Sequence, residues 1–571
     1  MQDSVAQNRE AVPELESATP VEETAPAPQS WRFWLPRIAT AILTPPLLLV
    51  GLELCLRLLN VGYSTELMQP CTVHGRPSNC YNLFFPAPFF PPGMIKAPQV
   101  YSFPLEKSKN TYRIVVLGES AAMGDPDPAY SFSRYLEVML KQRFPSMNFE
   151  IANTGSVAIN SHVSLLIAKG LAALQPDIFI LYLGNNEVVG PYGPGTALSA
   201  SGMNLQVIRS SIFLRSTHIG QLFTKLGAQK QQWRGMEMFL DKQVPKSSPL
   251  MKYTYANFYS NLRDTIAVAR ASGARVIVST VATNLKDCAP FASQHRSSLR
   301  QEDLQKWSSL VDEGARLEAT GDYDQAVNTY LAGTRIDDQY AELDFRIARV
   351  LWKTGDYGSA LQYFSRARDL DTLRFRADSR INQINRSAAA AGSGTDLLDA
   401  EAIFNRNSPN GVTGSDLVYE HVHLTSAGNY LLAREMFRNI AGQIAGRPVQ
   451  ENDMPSQAEC ERLLAFTRYD RYRIANEMFQ RLQRPPFTNQ LNHADQELRL
   501  AMEAQAPVES PDQTAAEYRA AIAQRPNDRV LRYNFGLFLF NFDKDAAAEQ
   551  LKLSQPWDGF PVFAPDGTQL E

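Results

Sequence analysis

The sequence predicts an α/β protein whose parallel sheet is covered by helices on both faces, joined to helical segments that lie outside the sheet. Three observations predict this. Nearly continuous apolar runs at residues 114–117, 149–152, 178–183 and 275–281 alternate with helix-patterned stretches, as expected of strands buried on both faces. A six-residue pattern recurs at an offset of 34 residues beyond the fourth of these runs. An uncharged apolar run stands near the amino end.

At 571 residues the chain has room for several domains. A net charge of −4 offers no basic field for nucleic acid, which is therefore not an expected partner. Five cysteines are too few for a disulfide scaffold. Cys71 and Cys80 flank the turn-like Thr-Val-His-Gly-Arg-Pro-Ser-Asn segment, a spacing that fits a local bridge and equally two free thiols. Cys55, Cys288 and Cys460 have no metal-binding spacing around them.

Taken in order, residues 1–30 are rich in Glu, Ala, Pro, Gln and Ser and predict a disordered tail. Residues 31–60 predict a single transmembrane anchor. The uncharged core, 38–52, is 15 residues long, below the roughly 20 that cross a bilayer. Extension to residue 59 takes in Glu53 and Arg57, which can pair at i,i+4. Pro45 and Pro46 weaken a helix without forbidding it in lipid. The long polar lead and the lack of a small-x-small site disfavour a cleaved signal peptide, and a buried soluble helix is the other alternative. Trp31, Arg32, Trp34 and Arg37 flank the span, and the arginines before it favour a cytoplasmic amino terminus. The remainder is then expected on the extracytoplasmic, periplasmic side of a cell inner membrane, where disulfides are permitted. Residues 61–110, with Phe-Phe-Pro-Ala-Pro-Phe-Phe-Pro-Pro at 84–92, read as an irregular Pro-rich linker or a cover on the next domain.

The sheet domain is expected over 111–295 and, after an interruption, 395–445. Its first strand ends at Gly118, and Ser120 follows the turn. Helices are expected at 132–144, 163–174 and 257–271, and a fifth strand begins at Leu397-Leu398. The interruption, 300–390, holds the repeat. Gly321-Asp-Tyr-Asp-Gln-Ala326 recurs as Gly355-Asp-Tyr-Gly-Ser-Ala360, Gly314 matches Ala348, and Tyr330 matches Phe364. Small residues at fixed points with an aromatic to fill the gap resemble tetratricopeptide repeats. Two units cannot bury a long solenoid core, so the insert is expected to pack on a neighbour. It enters from the active-site edge and is expected to form part of a lid or substrate wall. Residues 446–571 are helical in pattern, and Tyr518, Ala521, Pro526, Gly536 and Ala548 fit the same template. The resemblance implies a protein partner for these repeats.

Four blocks line up at expected strand ends: Gly118-Glu-Ser120, Asn153-Thr-Gly155, Gly184-Asn-Asn186-Glu187 and Glu420-His-Val-His423. Together they fill the roles of acyl transfer. Ser120 is the candidate nucleophile and His423 its base, with Glu420 to orient the imidazole and stabilise its cation. The Ser120 and Gly155 backbone N–H groups and the Asn186 amide are candidate oxyanion donors. Taken singly, Ser120 fits a helix cap, and Asn186 or Gly155 a turn. His421 and His423 suggest a metal, but no His-Glu-x-x-His or Cys-x-x-Cys cluster accompanies them. His74, His162, His218, His295 and His493 read as structural, and His421 as structural or as a neighbour of the site.

The four blocks, in this order, resemble those of the SGNH (GDSL-type) hydrolases. The resemblance covers roughly 111–290 and 395–445. It implies a three-layer flavodoxin-like fold and ester hydrolysis through a Ser-His-Glu triad and an acyl-enzyme, with no cofactor and no metal. Two positions depart from the family pattern. Glu420 replaces the usual aspartate and adds a methylene that the loop must absorb, with Asp416 as a substitute carboxylate at the wrong spacing. Glu119 replaces the aspartate of the first block, a change read as neutral for chemistry. Ala122 separates the turn from the Gly-x-Ser-x-Gly elbow of another hydrolase class. The expected activity is that of a membrane-anchored serine esterase acting on an O-acyl ester, with a carbohydrate or envelope polymer as substrate. The alternatives are an O-acyltransferase to a carbohydrate hydroxyl, and a protein-interaction scaffold whose hydrolase domain is weak or inactive.

Overall fold

The computed structural model describes residues 31–91, 93–95, 99–199, 202–227, 232–392, 394–505, 508–563, 565 and 569–570, so the tail expected over 1–30 lies outside the described residues. The chain divides into two compact units, Met1–Gly62 and Tyr63–Glu571. In the first, one helix spans Trp31–Leu58, and Pro36, Pro45 and Pro46 lie inside it without ending it. Its stretch Trp34–Leu58 is long and apolar enough to cross a membrane. Arg57 Nε donates to Glu53 Oε1 at 2.9 Å, the i,i+4 pair its spacing allows.

The second unit opens with three antiparallel strands, β1 (Met68–Val73), β2 (Arg76–Tyr81) and β3 (Ser102–Pro104). This corrects the reading of 61–110 as irregular. His74 and Gly75 both take positive φ, the demand of a two-residue hairpin turn, and Cys71 and Cys80 are joined by a disulfide across the hairpin. Pro70 and Pro77 hid the strands from periodicity. The following phenylalanines, Phe85, Phe89 and Phe90, are buried in the main core, so this segment covers the sheet domain.

Five parallel strands form the central sheet: β4 (Thr111–Gly118), β5 (Asn148–Asn153), β6 (Ile178–Tyr182), β7 (Arg275–Ser279) and β8 (Thr395–Leu398), in the spatial order β5-β4-β6-β7-β8. Ile114 of β4 stands between Ile151 and Ile178 of its neighbours, and every residue of β6 is buried. Helices Phe132–Arg143 and Ser426–Ala445 pack together, as do Ser161–Ala172, Leu250–Ala271 and Ser379–Ala390, giving the two helical layers. Strand order reverses at β4, and ligands in such sheets bind beyond the carboxyl ends of strands at that point.

The insert forms two helical hairpins, Gln301–Thr320 with Tyr323–Ile336 and Ala341–Thr354 with Tyr357–Leu370. The recurring motif has a local physical basis. Gly321 and Gly355 end their helices in the left-handed region, and the Asp322 and Asp356 side chains cap the next helices by accepting from Gln325 N and Ser359 N. Ala326 and Ala360 are fully buried. A Cβ on Gly314 would lie 2.4 Å from the Tyr330 ring, so the small residue and the aromatic are one packing unit.

The C-terminal region carries further helices, among them Arg468–Leu482, His493–Ala504, Pro511–Gln524, Arg529–Leu539 and Lys544–Leu553. Gly536 packs under Leu551. The small residue facing it from the last of these helices is Ala547, fully buried, rather than the expected Ala548, a one-residue shift.

Candidate active site

β4 ends at Gly118, where a Cβ would meet Ala122 Cβ at 2.1 Å and Tyr182 O at 3.0 Å. Only glycine allows the chain to turn here into the short helix Ser120–Met123, which opens on Ser120. The second block braces that helix: Asn153 Nδ2 donates to Ala122 O at 2.8 Å. A Cβ on Gly155 would stand 2.5 Å from Met123 N and 2.9 Å from Glu119 O.

Ser120 Oγ lies 2.9 Å from His423 Nε2, across 303 residues of sequence. His423 Nδ1 is hydrogen-bonded to Glu420 Oε1. The other carboxylate oxygen, Oε2, accepts the backbone N–H groups of His421, Val422 and His423, at 3.1 Å and 3.2 Å for the last two. The added methylene of glutamate lets one carboxylate fold back on its own loop and still reach the imidazole. Asp416, the substitute carboxylate, is exposed. Glu420 is fully buried, which disfavours its charge, but His421 and His423 outweigh burial and hold it well below the usual carboxylate range. Burial likewise opposes the imidazolium of His423, and Glu420 and Asp125 outweigh it, raising its pKa above the ordinary value.

The candidate oxyanion donors are in less simple order. Gly155 N donates to Asn153 Oδ1 at 3.0 Å and is therefore engaged. The Asn186 amide gives one of its two N–H groups to Ile159 O at 3.0 Å. Ser120, as the first helical residue, carries one of the N–H groups that have no intrahelical acceptor.

Glu119, read as neutral for chemistry, joins the site, as do Asp125 and Arg481, which sequence reasoning did not single out. Glu119 accepts the backbone N–H groups of Gly184, Asn185 and Asn186 at 3.2, 2.8 and 3.2 Å, tying the first block to the third. Burial and the neighbouring Glu187 push its carboxyl up to about 8 despite these bonds. Asp125, five residues after the serine, places Oδ2 3.1 Å from His423 Nε2. Arg481, from helix Arg468–Leu482, binds both oxygens of Asp125. Its Nη1 also stands 3.3 Å from His423 Nδ1 and 3.6 Å from Glu420 Oε1. Asp125 follows Gly124 in a turn with no motif spacing, and Arg481 sits in a helix far along the chain, so only three-dimensional contact reveals either.

The roots of the insert reach the histidine loop. Asn284 N donates to His421 O at 3.0 Å. Phe291 and Phe375 pack edgewise on the His421 ring, as does Phe487 from the C-terminal region. Ala377 N donates to Asn185 Oδ1 at 3.1 Å, bracing the third block. Glu420, His421 and His423 each offer one ligand atom within 4.8 Å of the others, a donor set that the histidine spacing alone did not complete. Here both Glu420 oxygens are already engaged by N–H donors, which fits an orienting carboxylate better than a ligand. Among the remaining histidines, His162 Nδ1 is bonded to the Asn261 amide at 2.9 Å, and burial, then Arg209, lowers it to about 4. His295 is bonded to Asp337 at 2.7 Å and stacked on Tyr340.

No family model and no curated protein matches the chain. Solved structures similar to it include an acetyl xylan esterase, AlAXEase, at 11% identity and TM-score 0.26, covering 57% of this chain and 99% of that one. They also include a lipase/acylhydrolase from Enterococcus faecalis at 12% identity and TM-score 0.26, covering 58% and 96%. A GDSL-like lipase from Bacteroides thetaiotaomicron follows at 10% identity and TM-score 0.26, covering 60% and 93%. The structural neighbours are thus esterases and lipases. At these scores the likeness carries no functional weight, and the reading below rests on the geometry of the chain itself.

Proposed function

We propose that the protein is a membrane-anchored serine ester hydrolase of SGNH type. The observation that carries this reading is the line of hydroxyl, imidazole and carboxylate: Ser120 Oγ at 2.9 Å from His423 Nε2, with Nδ1 of the same ring on Glu420. Ser120 attacks the ester carbonyl as its proton passes to His423 Nε2. The oxyanion is met by the Ser120 N–H and the Asn186 amide, and by Gly155 once its N–H leaves Asn153. His423 then returns the proton to the departing alkoxide, and water, activated by the same histidine, releases the acyl group. Glu420 holds the tautomer and the cation throughout. The helix Trp31–Leu58 serves as the anchor, with Tyr63–Glu571 outside the cytoplasm, where O-acylated carbohydrate or envelope polymer is the substrate class within reach. The helical hairpins of the insert offer a surface for a protein partner.

Fluorophosphonate labelling tests the reading. The wild-type chain is expected to be labelled and Ser120→Ala not, with ester hydrolysis lost in parallel. Equal labelling of the two would defeat it. Turnover seen only with an added sugar hydroxyl would assign a transferase instead, and an unreactive Ser120 would leave the helical hairpins as the functional part. For the anchor, a chain lacking residues 1–60 is expected to leave the membrane fraction, and its retention there would refute the assignment.

A further inference from the structure

The C-terminal region takes hold of the loop that follows the Ser120 helix. Arg473 pairs with Asp127, Asn534 Nδ2 donates to Asp127 Oδ2 at 3.2 Å, and Tyr130 donates to Ala465 O at 3.2 Å. Arg481 binds Asp125 through Nη1 and Nη2, in the fork-to-carboxylate manner that fixes position as well as charge. Asp125 in turn faces His423 Nε2 at 3.1 Å, almost the distance of Ser120 Oγ from the same nitrogen.

This arrangement sets two carboxylates on one imidazole. Glu420 holds Nδ1–H, which in the neutral ring leaves Nε2 as the acceptor for the serine proton. A carboxylate beside Nε2 works against that state, because it attracts a proton to Nε2 and makes the ring a cation that cannot accept from Ser120. Arg481 touches both carboxylates. We propose that Arg481 is a positioning residue for the catalytic base: by pairing with Asp125 it offsets that carboxylate's pull on a proton at Nε2, so that His423 remains the partner of Ser120.

The surroundings of the ring bear on the same balance. Glu420 and His421 lie on its own loop, and Asp125 follows the nucleophile helix. Arg481 and, behind it, Glu477 at 3.3 Å come from the C-terminal helix. Arg376, from the root of the insert, opposes the charge of His421. Arg481 is a permanent cation that acts against the imidazolium of His423, and burial acts in the same direction. Asp125 is buried, yet His423 and Arg481 hold its carboxyl below the usual range, so it stays an anion beside the ring.

The proposal rests on the esterase reading of Ser120 and His423, and its test separates the two. The full chain in detergent is assayed for kcat/KM against pH as wild type, Arg481→Met, Asp125→Asn, the double variant and Arg481→Lys. With Arg481→Met the acidic limb is expected to move up by about one pH unit, roughly tenfold less activity at pH 6, with the alkaline plateau less affected. Asp125→Asn is expected to move the limb down, and adding it to Arg481→Met is expected to restore about tenfold at pH 6. Arg481→Lys is expected to fall between wild type and Arg481→Met. An unshifted limb, or failure of Asp125→Asn to restore Arg481→Met, overturns the proposal. Where Arg481→Met lowers the melting temperature, the titration of isotope-labelled His423 by NMR in a Ser120→Ala background gives the same order of pKa values without turnover. That order holds or fails independently of whether Ser120 reacts with esters.

Discussion

Glu420→Gln changes one charged oxygen to an amide nitrogen and leaves the side-chain length intact. In the folded protein Oε1 serves the imidazole and Oε2 serves three backbone N–H groups. A glutamine has one oxygen for these two tasks. If that oxygen stays on the three N–H groups, the NH₂ faces His423 Nδ1 and forces the proton to Nε2, the wrong tautomer for accepting from Ser120. If it turns to the imidazole, the NH₂ meets three donors in a fully buried site. The first arrangement leaves fewer donors unpaired and is the expected one. Loss of tautomer control in a serine triad costs about 10⁴ in kcat, or about 5.4 kcal/mol of transition-state stabilisation at 1.36 kcal/mol per decade. Steady-state hydrolysis of an activated ester, with melting temperature measured alongside, checks this. A Glu420→Gln variant that stays folded and keeps activity within threefold of wild type, under conditions in which Ser120→Ala is inactive, would refute the role given to Glu420.

Further predictions concern the same site and its supports. Since Glu420 and Asp125 raise His423 and the base must be neutral, kcat/KM is expected to rise with pH through a value above about 6.5, the ordinary histidine range. A pH–rate profile with its acidic limb at or below that value would contradict the assignment. Gly155→Ala places a methyl against backbone atoms of Met123 and Glu119 and is expected to cost roughly 1–3 kcal/mol of stability and to displace Ser120. Denaturant unfolding and ester turnover are the readouts, and both are expected to fall. Gly314→Ala meets the buried Tyr330 ring and is expected to cost a similar ~1–3 kcal/mol, measured by unfolding, with fluorophosphonate labelling of Ser120 retained.

What could be read from the sequence divides along physical lines. β6 is buried along its whole length and is written as an unbroken apolar run, so its position was legible from composition alone. The Gly-Asp-Tyr repeat was legible because a left-handed cap, an N-cap and a buried alanine are local requirements that each unit repeats. The first three blocks were legible because parallel strands carry their following turns to one edge of the sheet, whereas Glu420-His-Val-His423 follows no sheet strand and lies in the loop before the helix Ser426–Ala445. The pairing of Arg481 with Asp125 spans 356 residues and obeys no periodicity, so nothing short of docking the C-terminal region reveals it. Glu119 read as neutral because its partners are backbone N–H groups, which no sequence displays. Gly155 was read as an oxyanion donor from the block Asn153-Thr-Gly155, whose residue types do not display that the Asn153 side chain takes the Gly155 N–H.

The grip of the C-terminal region on the loop after Ser120 also fixes when the site can be complete. Chains are made from the amino end, and domains fold in that order. The serine is synthesised early, its histidine hundreds of residues later, and Arg481 later still. Until that last arginine arrives, Asp125 faces the histidine without its clamp. A half-made or truncated chain that stops before Arg481 therefore lacks the guanidinium that faces Asp125, His423 and Glu420 in the complete site.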